Sequence, residues 1–270
     1  MNAHFDFNPN DLHDALSRLP LEQGDVIFTH SNLGFFGRPE GVSSREQLCE
    51  MFFEEIMSIL GDNGTLIVPA FTYSFPCKQV FNPLESPSAM GIFAEWVRCH
   101  PDSVRSEDPC YSVSAIGRNA TSLVANVPSN SFGDDSFFDR FYRVGGKILN
   151  MNFDAGSTLI HYVERKLDVP YRFDKTFDGV IVRNGERHSA SSTIWVRYLS
   201  DDALAFDSKP FDKLARETGV FRVTPLGRGQ IGLISAHDTY RCICEALPKR
   251  PWFLTKAESL GVVNPKIIAE

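Results

Sequence analysis

Residues 25–70 read DVIFTHSNLGFFGRPEGVSSREQLCEMFFEEIMSILGDNGTLIVPA, and this stretch decides the fold class. It begins and ends with apolar runs, at 25–30 and 64–70, that are typical of buried strands. Between them, leucine, phenylalanine or isoleucine recurs every four positions from 48 to 60, just before a glycine, which predicts an amphipathic helix over 44–60. A strand, a helix and a strand in this order form a βαβ unit, so we predict a sheet that is at least partly parallel.

The rest of the chain continues this alternation. The apolar patterns predict further elements, namely helices over 9–19, 90–99, 138–144, 157–167, 209–219 and 235–247, and strands at 113–116, 147–152 and 220–224. The turn Asn184-Gly185, between apolar runs at 180–182 and 193–198, predicts an antiparallel hairpin. No linker or repeat divides the sequence. We therefore predict one α/β domain over residues 1–270, with an antiparallel elaboration at about 177–224.

The bulk composition excludes several classes of partner. A net charge of −7 argues against general nucleic-acid binding, which needs a basic face. No apolar run reaches the roughly 18 residues of a membrane span, and residues 1–8 lack the basic start and apolar core of a secretory signal. The six cysteines form no C-x-x-C pair, which is typical of reduced thiols. We expect a cytoplasmic protein with neither nucleic-acid nor membrane partners.

The main candidate for chemistry is Thr158-Leu-Ile-His161-Tyr-Val-Glu164. On a helix, His161 and Glu164 share one face, and a carboxylate bonded to one imidazole nitrogen raises the basicity of the other, as in a general base. The Thr158 hydroxyl lies one turn earlier on that face. The alternative is an ordinary hydrogen-bonded pair on a packed helix. The context favours chemistry, because the apolar run at 148–153 leads through a short loop into this helix, where α/β folds place their sites.

Other motifs give weaker signals. His30, at the end of a predicted strand, is as consistent with a core histidine as with a functional one. Gly227-x-Gly229-x-x-Gly232 resembles a dinucleotide fingerprint, but only 38 residues follow it, so we expect at most a turn in which Arg228 touches a phosphate. Cys110 has no histidine near it in the sequence, and we interpret it as a packing residue.

Taken in order, several segments resemble the aminoglycoside 3-N-acetyltransferase (antibiotic N-acetyltransferase) family over nearly the whole chain. The landmarks are His30-Ser31-Asn-Leu and the glycine loop after it, residues 64–72, Ser88-Ala-Met-Gly91-Ile, Val104-Arg105-Ser106, residues 108–117, Gly146-Lys147-Ile-Leu and Thr158-x-x-His161-x-x-Glu164. The resemblance implies a three-layer α/β/α fold with a mixed, partly parallel sheet. It also implies an enzyme, an acyltransferase that moves an acyl group from coenzyme A to an amino-sugar nitrogen, with the family's His-x-x-Glu pair at His161 and Glu164.

One segment departs from the drug-modifying members of the family. They usually have His-Pro-Thr-His-Ser where this chain has Asp108-Pro-Cys110-Tyr111-Ser112, so both histidines are absent. Residues 170–179 look more like a biosynthetic branch. We therefore expect the acceptor to be a dTDP-linked 3-amino-3,6-dideoxyhexose for surface polysaccharide (O-antigen or capsule). The alternative is an aminoglycoside 3-N-acetyltransferase that confers antibiotic resistance.

The resemblance and the chemistry together suggest roles for individual residues. The expected catalytic residues are the His161–Glu164 base, with Thr158 and Thr72 as hydroxyl donors. The residues expected to bind acyl-CoA, either acetyl-CoA or a 3-hydroxyacyl-CoA, are His30, Ser31, Asn32, Leu33, Gly34, Arg38, Pro69, Phe71 and Ser112. Those expected to bind the acceptor are Tyr73, Asp108, Tyr111, Asn152, Tyr171, Arg172 and Lys175. Arg105 and Arg228 are further candidates for phosphate contacts. We expect direct transfer without a metal, and a homodimer is possible.

Two other classes of protein remain open. A metal-dependent hydrolase would use His161 and Glu164 as ligands with His30 or His237 as a third, but a zinc site needs three or four ligands and the candidates are scattered along the chain. A non-catalytic protein that binds sugar nucleotides would show no acyl-CoA turnover at all.

Overall fold

In the computed structural model, which describes residues 5–268, a seven-stranded mixed sheet forms the centre of the fold. The strands, in chain order, are β1 (Val26–Ser31), β2 (Thr65–Pro69), β3 (Val104–Arg105), β4 (Val113–Gly117), β5 (Lys147–Met151), a separate pair β6 (Arg172–Arg183) and β7 (Glu186–Arg197), then β8 (Arg222–Leu226) and β9 (Gly229–Ser235). The order across the sheet is β3-β4-β2-β1-β5-β9-β8. The first four residues of the segment examined for a secretory signal lie outside the described part.

Helices cover both faces of this sheet. Those within the described residues are α1 (Pro9–Ser17), α2 (Arg45–Leu60), α3 (Ile92–Cys99), α4 (Ala120–Val124), α5 (Phe137–Arg143), α6 (Leu159–Lys166), α7 (Lys209–Glu217), α8 (Ala236–Ala246) and α9 (Lys256–Leu260). Because side chains alternate along a strand, Phe28 of β1 packs with α4–α8 and Ile27 packs with α1–α3. The predicted three-layer α/β/α fold with a mixed sheet is confirmed.

The βαβ unit forms as the sequence indicates. Ser44 caps α2 by accepting a hydrogen bond from the Gln47 amide, and Gly61 follows the last helical residue. β1 pairs in parallel with β2 on one side and with β5 on the other. The remaining pairings of the central sheet are antiparallel. β1 is therefore at the centre of the sheet, and its end at His30 and Ser31 lies beside the end of β5.

The antiparallel elaboration differs from the prediction of about 177–224. β6 and β7 form their own two-stranded sheet, from Arg172 to Arg197, around the predicted turn at Asn184-Gly185. Residues 222–226 belong to the central sheet as β8 instead. The sequence pattern did not predict β9, which pairs with both β5 and β8. Its glycines were interpreted as part of a turn that touches a phosphate. No helix within residues 5–268 is both long and apolar enough to cross a membrane.

The glycine at position 232 of β9 makes room for the Phe221 ring. A Cβ atom at this position would lie 2.1 Å from the Phe221 ring, which is itself buried. We expect Gly232→Ala to lower the free energy of unfolding by about 1–3 kcal/mol, because the added methyl group would push the buried Phe221 ring against its neighbours. Urea unfolding monitored by circular dichroism measures the change. Gly34→Ala, with no atom within 4 Å of the added Cβ, is the control, and equal losses in the two variants would contradict this explanation.

Candidate active site

The candidate site lies where β5 ends and α6 begins. At the end of β5, the buried Asn150 donates hydrogen bonds from Nδ2 to the carbonyls of Asp154 (2.5 Å) and Gly156 (2.9 Å). Asn152, in the left-handed region with φ 61°, donates to the Asn32 carbonyl and accepts from the Gln230 amide. These contacts hold the loop that leads into α6. Asn152, expected to bind the acceptor, instead ties this loop to the neighbouring strands.

On α6 the helical spacing brings His161 and Glu164 together. Nδ1 of His161 lies 2.7 Å from Oε2 of Glu164. The Glu164 side chain is fully buried, whereas the His161 side chain keeps 16% of its surface exposed. An ionised carboxylate can only accept hydrogen bonds, so Nδ1 carries the proton and Nε2 keeps its lone pair. The pair thus offers one proton-accepting nitrogen on a side chain that is mostly buried.

Two further groups hold the buried carboxylate. The Tyr171 hydroxyl donates to Oε1 of Glu164 at 2.9 Å, and Nε of Arg172 lies 2.9 Å from Oε2. Burial alone would raise the pKa of Glu164, but the Arg172 charge and the hydrogen bonds from His161 and Tyr171 hold that pKa below its usual value. Tyr171 and Arg172, expected to contact the acceptor, are buried and occupied with Glu164. The structure therefore places both side chains against Glu164, inside the protein.

The protonation of His161 also differs from the simplest expectation. Burial and the nearby Arg172 charge lower the pKa of His161, and Glu164 offsets this only in part. The net effect of the surroundings is therefore a less basic imidazole, not the more basic one that a His–Glu pair alone predicts. His161 is neutral at pH 7, which is the form that a general base needs before reaction.

Aromatic rings pack against the imidazole of His161. The rings of Phe132 and Phe206 meet it edge-on, with centroids 5.9 and 5.2 Å away. Tyr111 packs against Phe132, and Tyr73 packs against Tyr111. Both tyrosines, expected to bind the acceptor, are thus part of the aromatic group next to the base. An apolar wall of this kind keeps water away from the imidazole and strengthens its electrostatic interactions.

Asp108 and Cys110 are structural. The buried Asp108 carboxylate accepts hydrogen bonds from the amides of Cys110 (2.8 Å) and Tyr111 (2.9 Å) and so fixes the turn before β4. Cys110 is fully buried, and burial, aided by the Asp108 charge, raises the pKa of its thiol to about 12. A thiol that stays protonated is a poor nucleophile. The structure therefore supports a packing role for Cys110, and it points the Asp108 carboxylate at the backbone.

A cleft of about 660 Å³ opens beside the end of β1. It brings together six of the nine residues expected to bind acyl-CoA, namely His30, Ser31, Asn32, Leu33, Gly34 and Pro69. The Thr158 amide donates to Nε2 of His30 at 3.4 Å, so the cleft adjoins the start of α6. Burial lowers the pKa of His30 to about 4, which leaves a neutral ring as the acceptor of this bond. His30 therefore links the cleft to the catalytic helix.

The cleft continues into a second cavity. This cavity, of about 630 Å³, lies between α2 and α3, and Arg45, Ala89, Gly91 and Ile92 line both spaces. These four residues were not predicted from the sequence to belong to a site. The same is true of Met90 and Phe153, which also line the cleft. The Ser88-Ala-Met-Gly91-Ile landmark was the available signal, because it lies directly before α3.

Several expected ligand contacts are absent from the cleft. Phe71 is buried in the core, and the Ser112 hydroxyl donates to the Ala70 carbonyl at 2.6 Å. The Thr72 hydroxyl donates to the Pro109 carbonyl at 2.9 Å, so its hydrogen is not available for an oxyanion. Two of the expected cations lie over aromatic rings, Arg38 over Phe5 and Lys175 over Phe173.

The other candidate cations are also engaged with protein groups. Arg105 donates to the Ala70, Pro83 and Ser86 carbonyls, and Arg228 pairs with Asp6. His237, a possible third ligand of a metal site, packs against Tyr142. Within residues 5–268, no three His, Cys, Asp or Glu side chains are grouped closely enough to hold a metal ion. The hydrolase alternative therefore has no ligand set in this part of the chain.

A histidine paired with a buried glutamate thus lies on a helix whose start adjoins a cleft, an arrangement that suits a general base beside a ligand-binding space. The family model described as aminoglycoside 3-N-acetyltransferase matches residues 28–248, and the chain belongs to this family of acyltransferases. It is 26% identical over 258 residues to aminoglycoside N(3)-acetyltransferase IX of Micromonospora chalcea, covering 84% of this chain and 85% of that one. It is 25% identical to aminoglycoside N(3)-acetyltransferase III of a Salmonella species, covering 84% of each.

Solved structures of the same class share the fold. The complex titled AAC-IIIb binary with CoASH has a TM-score of 0.76 at 21% identity, over 90% of this chain and 97% of that one. AAC-VIa bound to sisomicin also has a TM-score of 0.76, at 24% identity, over 90% and 98%. The match to the family model confirms the expected family, and it confirms that the enzyme is an acyltransferase.

The expected acceptor is not confirmed. The relatives are aminoglycoside N(3)-acetyltransferases, so the main prediction, a dTDP-linked amino sugar for surface polysaccharide, is wrong, and its stated alternative is better supported. The structure gives a physical reason for the error. Arg172 was expected to bind that acceptor, but its guanidinium is paired with Glu164 inside the protein.

The burial of Glu164 makes a prediction about stability. We expect Glu164→Gln to lower the free energy of unfolding at pH 7 by about 3 kcal/mol, because Arg172 then stays buried without an anion. The folded state lowers the pKa of Glu164, so its stabilisation is present at neutral pH and is lost as the pH falls below 4.5. The free energies of unfolding of the wild type and of Glu164→Gln, measured with urea, should therefore become more similar as the pH is lowered.

Asp174→Asn is the matched control for this measurement. It breaks the partly exposed ion pair between Asp174 and Arg165, which also joins α6 to β6. Pairs of this kind contribute less than about 1 kcal/mol. A loss for Glu164→Gln no larger than that of the control would contradict the role assigned to the buried carboxylate.

Proposed function

We propose that the protein is an acetyl-CoA-dependent N-acetyltransferase that acts on an amino group of an aminoglycoside, in the manner of an aminoglycoside 3-N-acetyltransferase. The observation that carries this proposal is the neutral His161, held by the buried Glu164 and adjoining the His30 cleft. The relatives named for aminoglycoside N(3)-acetylation support the acceptor class.

In the proposed reaction, His161 moves a proton and forms no covalent bond. The acceptor amine attacks the thioester carbonyl carbon, and Nε2 of His161 takes the proton that the nitrogen loses as the C–N bond forms. The C–S bond then breaks, and the proton passes from Nε2 to the departing sulfur. Glu164 stays ionised throughout and stabilises the imidazolium that forms between the two steps. The products are the N-acetylated sugar and coenzyme A with a free thiol.

The cleft supplies the proposed site for coenzyme A. Its volume and shape suit the extended pantetheine arm, and Arg45, which lines both cavities, offers a cation for the phosphates. The amides of Leu33 and Gly34 begin a 3-10 turn at the cleft wall, where such amides have no partner within the turn. We assign these two N–H groups, in place of the Thr72 hydroxyl, as donors to the thioester oxyanion. The Thr158 hydroxyl remains a candidate for aligning the amine.

The direct test is an assay of acetyl transfer. The purified protein is incubated with acetyl-CoA and, in separate reactions, sisomicin and gentamicin, while thiol release and product mass are followed. We expect thiol release that depends on the amine, and a product heavier by one acetyl group, located on the sugar by NMR. Reactions without an amine measure background hydrolysis. Failure to acetylate any aminoglycoside would overturn the proposed acceptor, and no acyl transfer to any amine would favour a binding protein.

His161 and Glu164 should act as one unit. We expect His161→Ala to lower kcat by about a hundred-fold or more, because a positioned general base contributes that much. Glu164→Gln should cost less, and the double variant should be no slower than His161→Ala, because Glu164 acts through the imidazole. Steady-state kinetics on all three folded proteins measure this. Losses that multiply in the double variant would show that the two residues act independently.

Transfer should be direct, in a ternary complex. Initial-rate plots should intersect when both substrates are varied, and acetyl-CoA alone should add no acetyl mass to the protein in intact-protein mass spectrometry. Cys110→Ser should keep most of the activity, because the thiol is buried and protonated. An acetyl adduct on Cys110 would instead establish covalent catalysis.

A further inference from the structure

Arg172 connects the catalytic pair to the hairpin. It is the first residue of β6, and its side chain is only 7% exposed. Nε lies 2.9 Å from Oε2 of Glu164, the same oxygen that His161 contacts, and Nη1 donates to the Trp195 carbonyl of β7 at 3.3 Å. The guanidinium is therefore fixed on one side by the hairpin backbone and on the other by the carboxylate that orients the base.

We propose that Arg172 is a positioning residue of the active site: it holds the Glu164 carboxylate ionised and oriented against Nδ1 of His161, so that Nε2 stays free to accept a proton. This inference rests on the proposed function for its catalytic consequence, but not for its geometry. Tyr171 assists from the other carboxylate oxygen. The hairpin thus supplies part of the catalytic machinery, although none of its residues needs to touch the substrate.

Arg172 is a cation that faces the His161–Glu164 pair. Two further titratable side chains, Tyr171 and Tyr111, lie near Arg172. Burial raises the pKa of both hydroxyls, so they stay neutral at pH 7. On the segments that flank His161, Asp134 is paired with Lys166, and Asp207 accepts from the Lys209 amide. The protonation of His161 is thus governed by burial and the Arg172 charge, which disfavour the imidazolium, and by Glu164, which favours it.

The chain offers a matched control for Arg172. Arg165 of α6 pairs with Asp174 of β6 at 2.8 Å, so this second ion pair joins the same two elements without contacting Glu164. A purely structural role for Arg172, as a clip between helix and hairpin, would make the two arginines comparable. A positioning role makes them different, because only Arg172 acts on the base.

The test follows the titration of His161 by NMR in four proteins, the wild type and the variants Arg172→Gln, Arg172→Lys and Arg165→Gln. We expect the His161 pKa to rise by about one unit in Arg172→Gln, because a neighbouring positive charge has been removed. It should stay near the wild-type value in Arg172→Lys, which retains the charge, and in Arg165→Gln. If Arg172→Gln does not fold, Arg172→Met serves as the neutral variant and Arg172→Lys still reports on the charge.

The kinetic readout runs in parallel. In Arg172→Gln the acid limb of kcat should move to higher pH by about the same one unit. At pH values well below the wild-type pKa of His161, kcat should therefore fall about tenfold, and at pH 6 it should fall by less, while KM for acetyl-CoA is unchanged. Arg172→Lys should restore most of kcat, and Arg165→Gln should behave as the wild type.

The two readouts separate failure of this inference from failure of the proposed function. An unchanged His161 pKa in the neutral variant, or a similar change in Arg165→Gln, would overturn the positioning role even in an active enzyme. A wild type without acetyltransferase activity would overturn the proposed function, but the NMR titration would still decide whether Arg172 controls the charge of His161.

Discussion

A fully buried carboxylate is the constraint on which the site depends. Glu164 is an acid at a position with no solvent exposure, and such a group persists only when nearby donors and cations replace the water it has lost. Three side chains do this, one from its own helix and two from residues 171 and 172, at the start of the hairpin. The buried Glu164 carboxylate therefore fixes the orientation of the His161 ring and the position of the start of the hairpin. It also influences the protonation of the imidazole.

Much of the framework could be predicted from local sequence pattern. The βαβ unit at 25–70 and the helix that carries His161 and Glu164 follow from periodicity, because residues four or fewer positions apart are placed by the helix itself. β9 was not predicted because its glycines weaken the hydrophobic pattern of a strand. The Phe221 ring requires the glycine at 232, and the Asn152 side chain requires the one at 229. The contacts of Tyr171 and Arg172 with Glu164 could not be predicted, because their partner is a buried acid on another element. A pairing of that kind has no signature in either segment alone.

Two arginines of this acidic chain serve internal structure. Arg105 lies among the Ala70, Pro83 and Ser86 carbonyls, and Arg172 is paired with Glu164, so neither guanidinium faces a ligand. Sequence reasoning assigned both to anionic substrates, because composition shows how many cations are present but not which way they point. Backbone carbonyls without a strand or helix partner need donors too, and a planar guanidinium can satisfy several of them at once.

The hairpin begins at the pairing of Arg172 with Arg197 and reverses at the turn Asn184-Gly185. It is also held close to that turn, where the Phe81 backbone exchanges hydrogen bonds with Val180 and Val182 and Arg183 pairs with Glu107. Residues added or removed in pairs at that turn would lengthen or shorten the ribbon without altering the alternation of faces near the base, because side chains in strands repeat every two positions. The exposed turn can therefore change in length while the register of the ribbon beside Arg172 and Glu164 stays the same.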